Sequence, residues 1–453
     1  MQQPYRLEGV ILRDVGVFEH ARFDFPVIED AEADAKKAEI HIFTGPNGCG
    51  KSTLLYALAA AFEINTNPLV FKRFRKEKSI VQFKFSSLSG YYGFKKSELL
   101  NPFGPSSPYV NLDGYYFETA RDSQGSNALT QYIEGFNHTA LINTKKFPFA
   151  AFAYSGSRSP QSEFTFSAIQ NISNSPFEQA LSFDKTVRPA ILAQWIANNK
   201  TQEALALAEG QHSEAERYLT SMRKISAFIH TICGLDVTFR LQRTPLAVKL
   251  NINGLDVGFE ALPEGLKSII SWVADLALRL ESIPWAESRD IFSQPIILFL
   301  DEVDIHLHPK WQRRILPAIQ TLLPNAQVFV STHSPFVVGS VEDAWVYRLP
   351  DPQACVCHDP NVPQIITPEH SAAGKSYQLI LEEVFGVEEQ FDVETETLLS
   401  KFKEARNGYL ANTQDDSELM RLVELLRAKN SEELEGIVQM ELRQVARRKT
   451  KGN

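Results

Sequence analysis

The sequence predicts an α/β protein built around a buried parallel sheet, and three stretches lead to this fold class. Residues 45–53 read GPNGCGKST, between the apolar strand EIHIFTG and a helical segment that opens on Lys51. PIILFLDE at 295–302 is an uninterrupted apolar run ending in two acids, as expected of a parallel strand buried on both faces. QVFVSTHSP at 327–335 predicts a neighbouring strand of the same kind. Together they predict a P-loop NTPase.

The glycine-rich turn predicts a nucleotide phosphate site, because strand, turn and helix follow one another as a phosphate loop requires. Glycines let the backbone N–H groups turn inward around a β-phosphate. Lys51 is expected to reach the β- and γ-phosphates, and Ser52 to ligate Mg²⁺. The residues predicted to contact ATP in this loop are Gly45, Pro46, Asn47, Gly48, Cys49, Gly50, Lys51, Ser52 and Thr53.

The two acids that end PIILFLDE predict the rest of the metal and water chemistry. Asp301 is expected to hold Mg²⁺ together with Ser52. Glu302 is expected to orient and deprotonate the attacking water. The predicted cofactors are therefore ATP and Mg²⁺, and the predicted reaction is hydrolysis of ATP to ADP and phosphate.

The spacing of the two half-sites indicates which class of P-loop protein this is. Lys51 and Asp301 stand 250 positions apart, whereas compact domains of the AAA+ or RecA type place these elements much closer. A large insertion must therefore separate two halves of one site. ALPEGLKSII at 261–270 precedes the acidic strand, and His333 follows the next one. Glycine, then Asp-Glu, then histidine is the order typical of ABC-type ATPases.

In an ABC-type arrangement the signature element of one protomer covers the γ-phosphate bound by the other. Gly265 would permit a close backbone approach, and the N-terminus of the following helix would supply a positive dipole. Glu264 and Lys267 are the flanking residues expected to contact ATP. His333 is expected to sense the γ-phosphate and to act with Lys51 and Glu302 in catalysis.

LFLDEVDIHLHPKWQ followed by STHSP resembles the ABC-type ATPases that include RecF, SMC-like heads and the overcoming-lysogenization-defect (OLD) family. Within that group FAYSGSR, LPEGLKS and SAAGKSYQLILEEVFGV resemble the Septu antiphage ATPase PtuA and its retron-associated relatives. The resemblance implies a homodimer with two ATP molecules between the heads, a higher oligomer, and a separate HNH nuclease partner. It also implies that Asp304 crosses to the other protomer, and it places Tyr154 and Arg158 in the region of the Q-loop.

The signature element of this chain differs from that of ABC transporters at one position. Pro263 stands where the transporter signature has a phosphate-binding serine, so one hydroxyl contact is lost and slow turnover is expected. The predicted organisation is an ATPase lobe I at 1–155, a helical insertion at 156–245, an ATPase lobe II at 246–350, and a helical assembly or partner module at 351–453. An amphipathic helix in that module is predicted by apolar residues at i, i+3, i+4 and i+7, namely Leu419, Leu422, Val423 and Leu426.

Composition limits where this chain can act. A net charge of −9 argues against a surface that grips nucleic acid throughout, so any DNA contact would come from the basic stretches at 71–78 and at the C-terminus. Four scattered cysteines do not make a disulfide framework. Because we find neither a secretory signal nor an apolar run of membrane-spanning length, a cytoplasmic protein without membrane contact is expected.

Three functions fit these observations. The first is an ATP hydrolase that regulates a partner nuclease in phage defence. The second is an ATP-sensing scaffold with negligible hydrolysis, which Pro263 motivates. The third is a RecF-like DNA repair ATPase that would use Lys72, Arg73 and Arg75 on DNA. An intrinsic nuclease is not expected, because the chain after His333 is short and largely helical. Metal sites at 302–308 and at Cys355, Cys357 and His358 are disfavoured.

Overall fold

The computed structural model describes two compact units, residues 1–380 and 381–453, each of which is treated by itself. Within them the described residues are 6–28, 37–62, 68–76, 79–86, 91–96, 110–112, 115–118, 146–156, 169–170, 172, 174–244, 246–352, 362–387, 389–411 and 416–451. The fold is mixed α/β, as the sequence predicts.

The strands of the first unit form three sheets. In chain order they are β1 (Leu7–Val15), β2 (Phe18–Asp24), β3 (Glu39–Thr44), β4 (Ile80–Phe85), β5 (Tyr91–Lys96), β6 (Val110–Leu112), β7 (Tyr115–Glu118), β8 (Ala150–Tyr154), β9 (Val237–Arg243), β10 (Leu246–Ile252), β11 (Leu255–Val257), β12 (Ile296–Leu300), β13 (Ala326–Ser331), β14 (Ala344–Arg348), β15 (Gln364–Ile366) and β16 (Glu369–His370).

The remaining regular elements are helices. In chain order they are α1 (Lys51–Ala59), α2 (Pro68–Phe71), α3 (Pro189–Ala208), α4 (His212–Cys233), α5 (Glu264–Ser282), α6 (Pro309–Leu322), α7 (Pro335–Val338), α8 (Tyr377–Phe385), α9 (Val393–Leu410), α10 (Ser417–Arg427) and α11 (Glu432–Lys451). Of these, α9, α10 and α11 build the second unit. Short 3-10 helices occupy Phe259–Ala261 and Ile291–Ser293.

The central sheet has the order β16-β14-β3-β13-β12-β8. All its strands are parallel except β16, which pairs antiparallel with β14. Every residue of β3, β8, β12 and β13 is buried, which confirms the expected strands with two covered faces. Parallel strands end at one edge of a sheet. The phosphate loop after β3, the acids after β12 and the histidine loop after β13 therefore meet at that edge.

A buried polar network joins the start of the central sheet to the seven-stranded sheet, whose order is β15-β2-β1-β4-β5-β7-β6. Arg6 Nε donates to Glu39 Oε2 at 2.8 Å, and His41 Nε2 lies 2.7 Å from Glu39 Oε1. Gln327 Nε2 donates to the Leu7 carbonyl at 2.9 Å. Burial raises the pKa of Glu39, but the His41 hydrogen bond and then Arg6 outweigh it and lower the pKa to about 2. The carboxylate is therefore charged and paired.

The insertion between the two half-sites is a helical hairpin of α3 and α4. In the described part of the insertion predicted at 156–245, the first helix begins only at 189. Gln179 and Phe183 have φ values of 54° and 55°, which no continuous right-handed helix accommodates. Instead the segment is tied to the central sheet, since Thr186 Oγ1 donates to the Ala153 carbonyl at 2.6 Å. The predicted boundary at 245 assigns β9 to the insertion. In the structure β9 pairs with β10 in the three-stranded sheet β11-β10-β9.

The second unit is a helical module of α9, α10 and α11. The stripe predicted on α10 is confirmed, because Leu419, Leu422, Val423 and Leu426 are all buried in its core. The unit begins at 381 and not at the predicted 351. The reason is that β15 pairs with β2 and β16 pairs with β14, which places both strands in the first unit. No helix in the described part of the chain combines the length and apolarity needed to cross a bilayer.

Candidate nucleotide site

The phosphate loop leaves β3 with a backbone that favours glycine. Gly45, Gly48 and Gly50 have φ values of 145°, 80° and 99°, conformations that L side chains rarely adopt. An added Cβ on Gly45 would lie 2.7 Å from the Leu349 carbonyl, and one on Gly50 2.7 Å from the Phe18 ring. At Gly48 nothing lies within 4 Å of that position. The loop is thus packed at both ends and open in the middle, which fits a bound phosphate group.

The predicted lysine, hydroxyl and carboxylate converge at this loop. Lys51 is buried, and its Nζ donates to the carbonyls of Gly45 at 3.0 Å and Pro46 at 2.9 Å. Ser52 Oγ donates to Asp301 Oδ1 at 3.1 Å, although the two residues are far apart in sequence. A hydroxyl oxygen beside a carboxylate oxygen is a donor pair that suits Mg²⁺, which prefers oxygen ligands. These residues therefore fit the predicted metal.

Ser331, the last residue of β13, links the two acids that follow β12. Its hydroxyl donates to Asp301 Oδ1 and accepts from the backbone N–H of Glu302 at 2.7 Å. Its place as the first residue of the STHSP stretch did not by itself predict this role. Its hydroxyl orients the carboxylate of Asp301 and the backbone of Glu302 together.

Glu302 lies where the chain turns sharply after β12. Its φ of 49° is left-handed, which is uncommon for a residue with a side chain. The side chain is half-buried. Partial burial raises the pKa of Glu302, and the negative charges of Asp301 and Asp304 raise it further. A carboxylate with a raised pKa is a stronger proton acceptor than an ordinary glutamate, as a general base needs to be.

We define the acid loop as residues 301–308 and the switch loop as residues 331–334. His333 is exposed within the switch loop, where partial loss of hydration and then the positive charge of Lys51 lower its pKa. Thr332 Oγ1 donates to Asp304 Oδ1 at 2.6 Å, so the two loops are in direct contact. The structure thus brings His333 and Asp304 to the same edge as the phosphate loop.

The signature element meets the acid loop within the same chain. Gly265 is buried, and an added Cβ there would lie 2.4 Å from the His306 carbonyl. The glycine is therefore required by contact with the chain's own acid loop, whatever it does toward a second protomer. Lys267 Nζ donates to Glu264 Oε1 at 2.9 Å. Pro263 occupies the N-cap of α5 without a side-chain hydrogen bond, as its lack of a hydroxyl dictates.

The region predicted to resemble a Q-loop follows β8. Tyr154 is fully buried, and its hydroxyl donates to Asp275 Oδ2 at 3.0 Å, so this side chain packs inside the protein rather than at the nucleotide. Its backbone carbonyl accepts from Asp301 N at 2.9 Å. Arg158 lies outside the described residues, as do Cys355, Cys357 and His358.

Tyr56 and Arg73 belong to the site but were not assigned to it from sequence. The Tyr56 hydroxyl donates to Asp301 Oδ2 at 3.4 Å. The Arg73 guanidinium lies 4.5 Å from the centre of the Tyr56 ring, and Arg73 Nε donates to Thr53 Oγ1 at 3.1 Å. Arg73 therefore faces the nucleotide site. Its replacement would disturb that site as well as any DNA contact of the basic stretch at 71–78.

Asp184 also lies close enough for its negative charge to raise the pKa of Tyr56 and of Glu302. Among the described residues, no group of three or more His, Cys, Asp or Glu is placed to hold a metal ion by itself. Fold and site together define a P-loop NTPase whose nucleotide site is split in the ABC-type order. A family model described as "AAA domain, putative AbiEii toxin, Type IV TA system" matches residues 251–339, from the three-stranded sheet through the switch loop.

Two curated relatives share part of this chain. It is 27% identical over 184 residues to the "Retron Ec83 probable ATPase" of Escherichia coli, covering 38% of this chain and 33% of that protein. It is 27% identical over 197 residues to the "Septu protein PtuA" of Bacillus thuringiensis, covering 39% of this chain and 46% of that protein. The match thus spans less than half of either relative. A solved SMC head bound to the C-winged helix domain of ScpA aligns with 80% of this chain and 98% of its own at 12% identity and a TM-score of 0.40.

Proposed function

We propose that this chain is an ATP-binding and ATP-hydrolysing subunit of an antiphage defence system, which dimerises around ATP and regulates a partner HNH nuclease. The observation that carries the proposal is the meeting of Ser52, Asp301 and Glu302. A hydroxyl and a carboxylate stand 3.1 Å apart beside the phosphate loop, and a glutamate of raised pKa follows directly.

Each residue has a part in the proposed reaction. Lys51 leaves its carbonyl partners and neutralises charge on the β- and γ-phosphates. Mg²⁺, when held by Ser52 and Asp301, supplies charge stabilisation for the phosphoryl group. Glu302 accepts the proton of the attacking water. The hydrogen bonds of Ser331 fix the position of Glu302 relative to Asp301. His333, whose pKa is lowered first by partial burial and then by the charge of Lys51, donates a hydrogen bond to the γ-phosphate.

The second half of each site is proposed to come from a second copy of the chain. Glu264, Gly265 and Lys267 at the start of α5 would approach the γ-phosphate with the helix dipole behind them. Asp304 of the acid loop would cross to the other protomer. Pro263 withholds a hydroxyl from this contact, which supports slow turnover.

Similarity to a Septu protein and to a retron ATPase supports the assignment to phage defence. The HNH nuclease partner follows from that resemblance, and the helical unit 381–453 is the proposed docking or assembly module. Co-expression with an HNH protein encoded beside this gene tests the partner. Recovery of this chain alone, with and without ATP, would count against it.

A phosphate-release assay with Mg²⁺ and ATP tests the enzymatic proposal. We expect slow hydrolysis by the wild-type protein and none by Lys51→Ala, with ATP affinity weakened about tenfold or more because a charged contact to phosphate is lost. Lys310→Ala, an exposed lysine at the start of α6, is the control and should behave as wild type. Tight ATP binding with no release by the wild type would favour the ATP-sensing scaffold.

The pH dependence of turnover reports the state of Glu302. Because its pKa is raised, Glu302 takes up a proton at higher pH than an ordinary glutamate, whose pKa is about 4.3. We expect kcat to fall on acidification while Glu302 is becoming protonated, with ATP binding retained through the same range. Measurements of kcat and ATP affinity from about pH 8 down to about pH 4, a range that includes the pKa of an ordinary glutamate, check this. A kcat that stays flat over that whole range would contradict the role of Glu302 as base.

A further inference from the structure

We propose that Gln312 is a positioning residue that couples the acid loop to the switch loop, so that Asp304 and His333 are placed as one unit. The inference rests on the proposed function and adds a residue to which neither motif nor spacing assigned a role. Gln312 lies in the first turns of α6, directly after the acid loop, and its side chain is half-buried.

The amide nitrogen of Gln312 holds the acid loop. Nε2 donates to the carbonyls of Asp304 at 3.2 Å and Leu307 at 2.9 Å. The loop between these carbonyls contains His306, whose φ of 61° is left-handed. Such an irregular backbone has no ladder of strand or helix hydrogen bonds to define it, so tertiary bonds of this kind set its position.

The amide oxygen of Gln312 holds the switch loop. Ser334 Oγ donates to Gln312 Oε1 at 2.7 Å, and Ser334 N donates to Thr332 Oγ1 at 3.0 Å. Thr332 Oγ1 in turn donates to Asp304 Oδ1 at 2.6 Å. The contacts close a ring that runs through Gln312, Ser334, Thr332 and Asp304. His333 stands between two members of that ring.

Closure of the ring explains why glutamine stands at this position. Only an amide offers two N–H donors and an acceptor at the end of a side chain of this length. When ATP draws His333 toward the γ-phosphate, the ring transmits the displacement to Asp304. A second protomer that engages Asp304 displaces His333 by the same route. The hydrogen bonds of Gln312 run to Asp304, Leu307 and Ser334, so its proposed effect is exerted through the loops that these residues belong to.

The test compares Gln312→Met with Gln320→Met in the full-length protein. Methionine keeps the length of the side chain and removes all hydrogen bonds. Gln320 is a matched control on the same helix, buried, with its Nε2 donating to the carbonyls of Ala38 and Asp343. We expect Gln312→Met to lower kcat about tenfold, or about 1.4 kcal/mol, with KM for ATP within about twofold of wild type. Gln320→Met should alter the melting temperature but not kcat.

Hydrogen exchange supplies a readout that does not depend on hydrolysis. In the wild type, ATP with Mg²⁺ should slow exchange in both the switch loop and residues 303–308. In Gln312→Met, ATP should slow exchange in the switch loop alone. Equal protection of both loops in the variant would overturn the proposal, as would an unchanged kcat.

A double-mutant cycle with Ser334→Ala separates coupling from mere loss of packing. Ser334 also accepts from Phe336 N and Val337 N as the cap of α7, and that contribution cancels because it is lost with and without Gln312. We expect the double variant to be slowed by less than the product of the two single effects. If the reductions of kcat by Gln312→Met and Ser334→Ala multiplied in the double variant, the two residues would act independently, and coupling through the ring would be refuted. Absence of ATP binding by the wild type would instead refute the proposed function, and this inference with it.

Discussion

Replacement of Glu302 by glutamine should abolish steady-state ATP hydrolysis and leave ATP binding intact. Glutamine keeps the shape of the side chain and removes the proton acceptor, and a positioned general base contributes roughly a hundredfold to ten-thousandfold in rate. Glu302 is well placed for this role, because Ser331 accepts a hydrogen bond from its backbone N–H at 2.7 Å, and because partial burial and then two neighbouring acids raise its pKa. Loss of one negative charge beside the phosphates should make ATP affinity equal to or tighter than that of wild type.

Two measurements check this result. Phosphate release under saturating ATP gives the rate, and titration calorimetry gives the affinity. Glu342→Gln, an exposed glutamate before β14, is the control and should hydrolyse ATP as the wild type does. If Glu302→Gln turned over at the wild-type rate, Glu302 would lose the base role and Asp304 would become the next acid to test.

Replacement of Arg279 by methionine should produce the largest loss of stability. Arg279 and Asp275 have exposed side-chain fractions of 0% and 1%, and Arg279 Nε donates to Asp275 Oδ2 at 2.6 Å. The guanidinium also donates to three backbone carbonyls of the segment before α3, those of Pro176, Glu178 and Thr186. Methionine would leave a buried carboxylate and three carbonyls without these donors. Breaking such a pair from one side costs about 3–5 kcal/mol.

That loss is large compared with the roughly 5–15 kcal/mol that stabilises a typical domain. We therefore expect the thermal unfolding midpoint of the first unit to fall steeply. Arg240→Met removes an exposed ion pair with Asp256 and should leave the midpoint close to wild type. The double variant Asp275→Asn, Arg279→Met should recover part of the stability, because no charge is then left buried and unpaired. If Arg279→Met melted at the wild-type temperature, the Arg279–Asp275 ion pair would not be needed for stability.

Arg279 also connects stability to the site. The segment it holds includes Phe183, whose ring centre lies 4.5 Å from that of Tyr56, and Tyr56 donates to Asp301. On the other side, Asp275 accepts from Tyr154, whose carbonyl accepts from Asp301 N. Loosening Arg279 should therefore slow hydrolysis as well as lower the melting temperature.

Short contiguous motifs were sufficient to predict which residues the structure brings together beside the phosphate loop. A glycine-rich turn between strand and helix places Lys51 and Ser52, and an apolar strand that ends in two acids places Asp301 and Glu302. The order of the motifs also indicated a split site, because parallel strands present their carboxyl ends at one edge wherever they occur in the chain. The buried strands and the apolar stripe of α10 were also confirmed. Both were predicted from the spacing of apolar residues along the chain, which is a local property of the sequence.

Only the tertiary structure decided which distant side chains support those residues. Gln312 and Ser331 lie in the stretches LFLDEVDIHLHPKWQ and STHSP, which carry the family resemblance but do not say what each side chain contacts. Tyr56 lies in a helical segment whose local pattern does not distinguish a site contact from a solvated one. Arg73 read as part of a basic surface stretch, yet it packs on Tyr56 beside the phosphate loop. From sequence, Gly265 was predicted to allow close approach to a second protomer. In the structure the space beside its Cα is already occupied by the His306 carbonyl of the same chain. Such contacts depend on sheet order, register and loop packing, which bring together residues that the sequence holds far apart.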